Sequence, residues 1–479
     1  MAFASDCTKR RSPAAAASRA TPRVISVDIG PFLVLAFSIR SYRYAIQGLR
    51  EACNWCRRSS IDTGPRNIKG EHMKIDRRDF LKSSAAGAAF LSTGVFPAAA
   101  QKPKTIVFGG SIPMSGKEAD TGLNVLQGYK VAIQYINEKL GGVKIGGDLY
   151  ELKLQMFDDA SDPQRATTLV QKQVDDGVNF FLGSFSSAIV LPSAAITERA
   201  KRITVQAGGG SDQIFTRHYK FMFGMFPRAS RQLVSLVAMM KSLNGGIKSC
   251  SLVTTNDSYS KTQADGTIAA LKEAGIELKN VYRLPPTAND VSGVVSQISG
   301  AVPDALVCTT HEHESALIAQ QLASTGTNIK LLFMALGPES KAFRDNLGKL
   351  GEGITNIQYW EPSFHFSDPI FGSSQDYYKY YNSVSKRHAS YQTVAASACI
   401  VSYVRAMQEA GGLDTEKVRD KLAALDFESV YGRIKFTKDG DGDPVFMGPA
   451  IGQIQNGNIA VVFPEKVSTA KLLFPKPKW

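Results

Sequence analysis

The stretch VNFFLGSFSSAIVLPSAAITERAKRITVQAGGGSD, running from Val178 to Asp212, alternates between two kinds of order. VNFFL is apolar with no polar alternation, which is how a strand buried on both faces reads. A loop of small polar residues, GSFSSA (183–188), follows it. Helical spacing then runs over 188–200, before a second apolar strand, RITVQ, and a second small polar loop, AGGGSD (207–212). Strand, helix and strand, with loops at the carboxyl ends of the strands, make one step of a parallel α/β sheet.

The same cycle extends on both sides. KTIVFGGSIP reads as a strand and 121–140 as a helix ending at Gly141 and Gly142. YELKLQMFDD alternates as a strand, and DPQRATTLVQKQVDDG is a helix opened by Asp162 as N-cap with Pro163 in its first turn. Downstream, YKFMFGMF, KSCSLVTT, KNVYRLPP, DALVCTT and KLLFMAL are strands, separated in turn by helices over 228–243, 259–274, 290–299 and 313–324. The pattern is helical near 390–424, and YGRIKFTK, FMGPAIGQIQNGN and IAVVFPEK finish as strands and hairpins. Apolar, β-branched strands in such repeats predict α/β architecture with parallel sheets covered on both faces. About 380 residues exceed one such sheet, so two doubly wound lobes are expected.

The 479 residues carry a formal charge of +13, with 43% apolar residues. A basic surplus of that size raises nucleic acid or a membrane surface as a partner. Its placement decides otherwise. Sixteen Lys and Arg face seven Asp and Glu before Gln101, whereas forty face thirty-six from there on. The body is nearly balanced, and no nucleic-acid partner is expected. The cysteines divide similarly. CNWC (53–56) has redox or zinc spacing but no second Cys/His pair and no flanking strand–helix pattern, and Cys7 stands alone. Cys250, Cys308 and Cys399 lie in apolar runs and are expected as buried free thiols.

Much of the early basic charge belongs to MKIDRRDFLKSSAAGAAFLSTGVFPAAAQ, from Met73 to Gln101. A positive start, a short apolar run and Ala-Ala-Ala make an export signal. The run is too short for a spanning helix, which needs about 20 apolar residues. RRDFLK (77–82) resembles the twin-arginine signal. Residues 1–72 show no sustained helical or strand period. The expectation is a start at Met73, a signal peptide over 73–100 cleaved near Ala100, and a periplasmic mature protein. Residues 1–72 would then be a non-native or disordered extension.

Three loops at strand ends are rich in small polar residues: GSFSSA, AGGGSD and TTNDSYSKT (254–262). Exposed amides beside hydroxyls suit a carboxylate. Ordinary turns and N-caps are the competing account of any one loop, but three in step favour a shared pocket. AGGGSD lacks both the dinucleotide and the P-loop patterns. In THEHES (310–315), His311 and His313 would share one face if the strand continued, but a metal site would need a third ligand. KDGDGDP (438–444) lacks the glycine and terminal glutamate of a calcium loop and reads as a hairpin turn. No nucleophile, base and orienting acid line up, so no enzyme, cofactor or metal is expected.

Taken in order, FGGSIPMSG, LNVLQGYKVAIQYINEKLGG, FDDASDPQRATTLVQKQV, FFLGSFSSA, AGGGSDQIF, YSKTQADGTIAALKEAG, DALVCTT and FMALGP resemble type I periplasmic solute-binding proteins of ABC importers. The leucine/isoleucine/valine-binding branch is the nearest in pattern, over about 101–465. The resemblance implies two lobes joined by three crossover strands, near 225–230, 355–362 and 428–434, closing on a ligand. Lobe 1 would comprise 101–226 and 361–430, and lobe 2 would comprise 227–360 and 431–479. It implies a carboxylate held by Ser187, Gly209 and Ser211, an aromatic contact from Tyr259, and an ammonium-binding acid at Glu339. His311 and Thr121 stand where branched-chain binders carry Tyr, which weakens a leucine-type specificity. Tyr359 and Trp360 could wall the pocket or belong to core and hinge. The implied protein is a monomer that captures a small carboxylate-bearing solute (amino acid, amide or organic acid) and presents it to membrane ABC permease subunits. A cytoplasmic amide sensor on the same fold, or an α/β enzyme, would be the alternatives.

Overall fold

The computed structural model describes residues 103–479. The 1–72 extension, the 73–100 signal and CNWC lie outside the described residues. The first lobe is built on β1 (Lys104–Ile112), β2 (Val143–Ile145), β3 (Asp148–Asp158), β4 (Phe180–Leu182), β5 (Ile203–Gln206) and β6 (Met222–Gly224). Their order is β2-β3-β1-β4-β5-β6, and every pair is parallel except β2–β3. That edge hairpin turns on Gly146 and Gly147, both at positive φ, as a two-residue hairpin loop requires.

Period-two alternation sets the layers. Phe180 and Leu182 pack in one core with the Tyr391–Ala410 helix, while Phe181 packs with Val170 on the opposite face. The Ala119–Lys139 and Tyr391–Ala410 helices approach so closely that a Cβ on Gly128 would lie 2.0 Å from the Thr393 carbonyl oxygen. The Ser397 hydroxyl donates to the Gly128 carbonyl across that contact. Asp162 caps the Pro163–Asp175 helix by accepting from the Arg165 amide, as its sequence indicates.

The second lobe contains β7 (Ser249–Thr255), β8 (Glu277–Leu284), β9 (Ala305–Thr309), β10 (Leu331–Met334) and β11 (Thr355–Gln358). Two small hairpins follow in the chain, β12 (Ser367–Asp368) with β13 (Gly372–Ser373), and β14 (Asp426–Ser429) with β15 (Gly432–Lys435). Then β16 (Ala450–Gln455) and β17 (Asn458–Phe463) complete the second sheet, ordered β17-β16-β11-β10-β9-β7-β8. β7 to β11 are parallel, and β16 and β17 add antiparallel edges. The architecture is α/β with two parallel-dominated sheets. Cys250, Cys308 and Cys399 are buried and free.

The chain passes between the lobes after β6, after β11 and before β16. The first passage follows β6 and the second follows β11. The third differs: 426–435 folds as the β14–β15 hairpin, and 436–442 then runs beside the first passage. Gly224 donates its amide to the Gly440 carbonyl, and Gly442 donates to that of Phe226. The crossing to β16 therefore lies at 443–449, not near 428–434. The KDGDGDP segment makes the turn, with a bridge between Phe436 and Gly442. Its acids serve the passages: Asp441 and Asp439 bind Arg228, and Asp443 caps the Pro444–Met447 helix. Trp360 is a hinge-core residue whose indole donates to the Val430 carbonyl.

Candidate functional site

The loops after β1, β4, β5, β7, β9 and β10 meet between the lobes, as expected at the carboxyl ends of parallel strands. They enclose an outer cleft of about 590 Å³ and, behind it, a narrow inner cavity of about 30 Å³. Phe185, Ser186, His311 and Leu336 line both. The inner cavity is walled by Phe226, Tyr259, Tyr359 and Tyr391, with Ser187, Gly208, Gly210, Gln232 and Gln392 as its polar groups.

Ser187 begins the Ser187–Arg199 helix. Its Oγ accepts from the amides of Gly210 and Ser211, each at 3.0 Å. No acceptor among the described residues takes its hydroxyl proton. Gly209 is turned away from the cavity. Its amide donates to the Gln206 side chain, and a Cβ there would meet Ile214 and Val190. The cavity wall is made by its neighbours Gly208 and Gly210. Ser211 is fully buried and bridges the lobes, donating its hydroxyl to the Ser258 carbonyl at 3.0 Å.

Tyr259 and Asp257 come from the start of the Ser258–Ala274 helix, where Asp257 is the N-cap. The Tyr259 hydroxyl donates to Gln232 and accepts from Gln263, both at 2.9 Å, which fixes the ring against the cavity. Burial raises its pKa well above the usual phenol range.

His311 is the N-cap residue of the Glu312–Ser324 helix, so the strand does not continue through THEHES. His311 and His313 consequently diverge: both line the outer cleft, where His313 Nε2 lies 3.2 Å from Asn289 Oδ1, but only His311 also reaches the inner cavity. Nε2 of His311 is 3.4 Å from Asp257 Oδ2, and Nδ1 is 3.9 Å from Glu118 Oε2 on the other lobe. Burial alone would lower its pKa, but the charge of Glu118 and the bond to Asp257 outweigh it and raise it to about 9. Asp257, despite burial, is held well below the usual carboxylate range by His311.

Thr121, in the first turn of the Ala119–Lys139 helix, lines the outer cleft. Glu339 is buried behind Gln392. It accepts from the Gly337 amide at 2.9 Å and from the Gln392 side chain at 3.1 Å, and Gln392 alone reaches the cavity. Burial pushes the Glu339 carboxyl up to about 7. Tyr359 walls the cavity.

The structure thus brings Ser187, Tyr259 and His311 to the inner cavity and Thr121 to the outer cleft. Glu339, Ser211 and Gly209 stand one layer back. Sequence reasoning missed Glu118, Asp120, Asp257, Glu312 and Glu314 as cleft residues, and Gln232, Tyr391 and Gln392 as cavity residues. Asp257 lies in a loop its composition already marks. Tyr391 and Gln392 open a helix far along the chain from Ser187, Gly208, Gly210 and Gln232, with no local signal.

Two α/β lobes joined by three passages around a polar cleft define a bilobal solute-binding protein. The chain belongs to the periplasmic binding protein family, whose model matches residues 105–457. A model of the TAT (twin-arginine translocation) pathway signal sequence matches residues 74–94. The chain is therefore an exported, periplasmic solute-binding protein with a leucine-binding-like domain, and the family's members are not enzymes. It is 23% identical to the leucine-, isoleucine-, valine-, threonine- and alanine-binding protein of Pseudomonas aeruginosa, over 69% of this chain and 85% of that one. It is 25% identical to Leu/Ile/Val-binding protein homolog 8 of Brucella abortus, over 84% of this chain and all of that one. Among solved structures, the leucine-binding protein LivK of Thermotoga maritima superposes with a TM-score of 0.66 at 20% identity, covering 75% of this chain and 99% of that one. A solute-binding protein of R. palustris in complex with benzoate gives 0.63 at 17% identity, covering 78% and 98%.

Proposed function

We propose that the protein captures a small carboxylate-bearing solute between its lobes and presents the closed form to membrane ABC permease subunits. The observation that carries this reading is Ser187. Its oxygen already accepts two backbone amides, which polarises a hydroxyl whose proton is free to donate into the cavity. His311 stands at the junction of cavity and cleft, its imidazolium held between Asp257 and Glu118. The relatives fit: one is a leucine-, isoleucine-, valine-, threonine- and alanine-binding protein, and another was solved with benzoate. His311 and Thr121 separate this site from a simple leucine pocket.

Binding shifts an open–closed equilibrium, and the solute leaves unchanged. The export signal argues against a cytoplasmic sensor. The test is calorimetric titration of the full chain with amino acids, amides and aromatic acids. Ser187→Ala is expected to weaken a carboxylate ligand about tenfold or more, through a lost charge-assisted bond of ~1.5–3 kcal/mol. Unchanged affinity, or turnover of the bound solute, would count against the reading.

A further inference from the structure

The outer cleft carries more negative charge than a carboxylate ligand calls for. Glu118, Asp120, Asp257, Glu312 and Glu314 all line it. Three of these have counter-charges, and Lys117, which also lines the cleft, lies 3.8 Å from Glu118. Glu118 and Asp257 hold His311 between them, and Asp120 pairs with Arg387. No salt bridge among the described residues reaches Glu312 or Glu314. Both sit in the first turn of the Glu312–Ser324 helix, where the helix dipole favours an acid. That accounts for a negative charge there, but not for the state of Glu314. The residue lines the cleft but is buried, at 3% exposure, and its Oε2 has no hydrogen-bond partner. A carboxylate oxygen desolvated without a partner is costly, and a cation in the cleft would relieve it. Glu312 agrees. Burial, and then the charges of Glu339 and Asp120, push its carboxyl up to about 8.

We propose that the solute carries a second, cationic end, a primary ammonium or guanidinium, which the outer cleft receives between Glu312 and Glu314. This inference rests on the carboxylate reading above and extends it. The carboxylate lies inward by Ser187 and His311, and the chain of the solute runs outward past Thr121 to the acids. The substrate class is then a basic amino acid or a related cationic acid rather than an aliphatic one.

The test titrates the full chain with three probes of matched length: L-lysine, L-norleucine, which lacks the terminal ammonium, and pentane-1,5-diamine, which lacks the carboxylate. L-lysine is expected to bind at least about tenfold tighter than L-norleucine. Glu312→Gln and Glu314→Gln, both near-isosteric, are each expected to cut that ratio to about twofold or less. Equal or tighter binding of L-norleucine overturns the cationic site and leaves the carboxylate reading standing. A lysine preference that survives both substitutions overturns the assignment to these two residues. Binding of the diamine without either amino acid keeps the cationic site and removes the carboxylate reading. Binding of none of the three overturns the inference.

Discussion

His311 and Glu118 face each other across the cleft, imidazole Nδ1 3.9 Å from carboxylate Oε2, one from each lobe. With Asp257 at 3.4 Å on the other ring nitrogen, the imidazolium sits between two acids and ties the lobes electrostatically. Its pKa, raised to about 9, lies above the ordinary value of 6.5. A base whose folded pKa is raised adds stability that is complete below about pH 6.5 and is lost as pH rises through about 9. The thermal midpoint of the protein should therefore fall relative to that of His311→Gln between about pH 7 and pH 10. Parallel profiles over that window would show that the pair does not hold the lobes together.

Glu339 gives a second pH signature, of opposite origin. Burial raises its carboxyl to about 7 from 4.5, so the folded state binds more protons than the unfolded one between those values. Stability contributed by this group falls as pH rises through that window, and Glu339→Gln should flatten the fall. An ammonium placed against Gln392 would favour the ionised form and expel a proton. Titrating an α-amino acid near pH 6.5 in two buffers of different ionisation enthalpy should show net proton release of up to about one. Equal heats in both buffers would mean that no ammonium group approaches Glu339.

Ser211 and Ser187 should separate closure from contact. The Ser211 hydroxyl spans the lobes to the Ser258 carbonyl and lines neither cavity nor cleft. Ser211→Ala should cost the closed form about 0.5–1.5 kcal/mol and weaken every ligand by a similar factor, two- to tenfold. Ser187→Ala should instead act selectively on carboxylates. If Ser211→Ala spares neutral analogues while weakening acids, Ser211 touches the ligand directly.

The strand–helix order was legible because these strands are apolar on both faces and their helices carry local caps, Asp162 being the plainest. The Ser374–Val384 helix is less evident, since its four tyrosines favour strands, although the Ser373–Asp376 capping box marks its start. The candidate site divides in the same way. Loops at strand ends can be read from spacing, so Ser187, Tyr259 and His311 emerge. Which glycine of three faces a cavity depends on the packing of Ile214 and Val190, and a pattern of glycines does not contain that. The acids of the cleft meet only when two lobes close, a relation between Glu118 and Asp257 that no local sequence encodes. The third passage escaped for a similar reason. YGRIKFTK reads as a strand either way, and only its pairing with Asp426–Ser429 makes it a hairpin.

Arg228 and Asp441 fix that hinge. The guanidinium donates from Nε and Nη2 to both oxygens of Asp441, at 3.0 and 2.7 Å, and again to Asp439 at 3.0 Å. Asp441 is fully buried, so removing the cation leaves an uncompensated charge inside the protein. Arg228→Met is expected to destabilise by about 3–5 kcal/mol, because breaking a buried pair costs more than the pair contributes. Adding Asp441→Asn removes the stranded charge and should recover at least about half of that loss. Chemical denaturation of the single and double variants provides the measurement. Additive losses in the double variant would show that Arg228 acts through its packing on the first passage and not through Asp441.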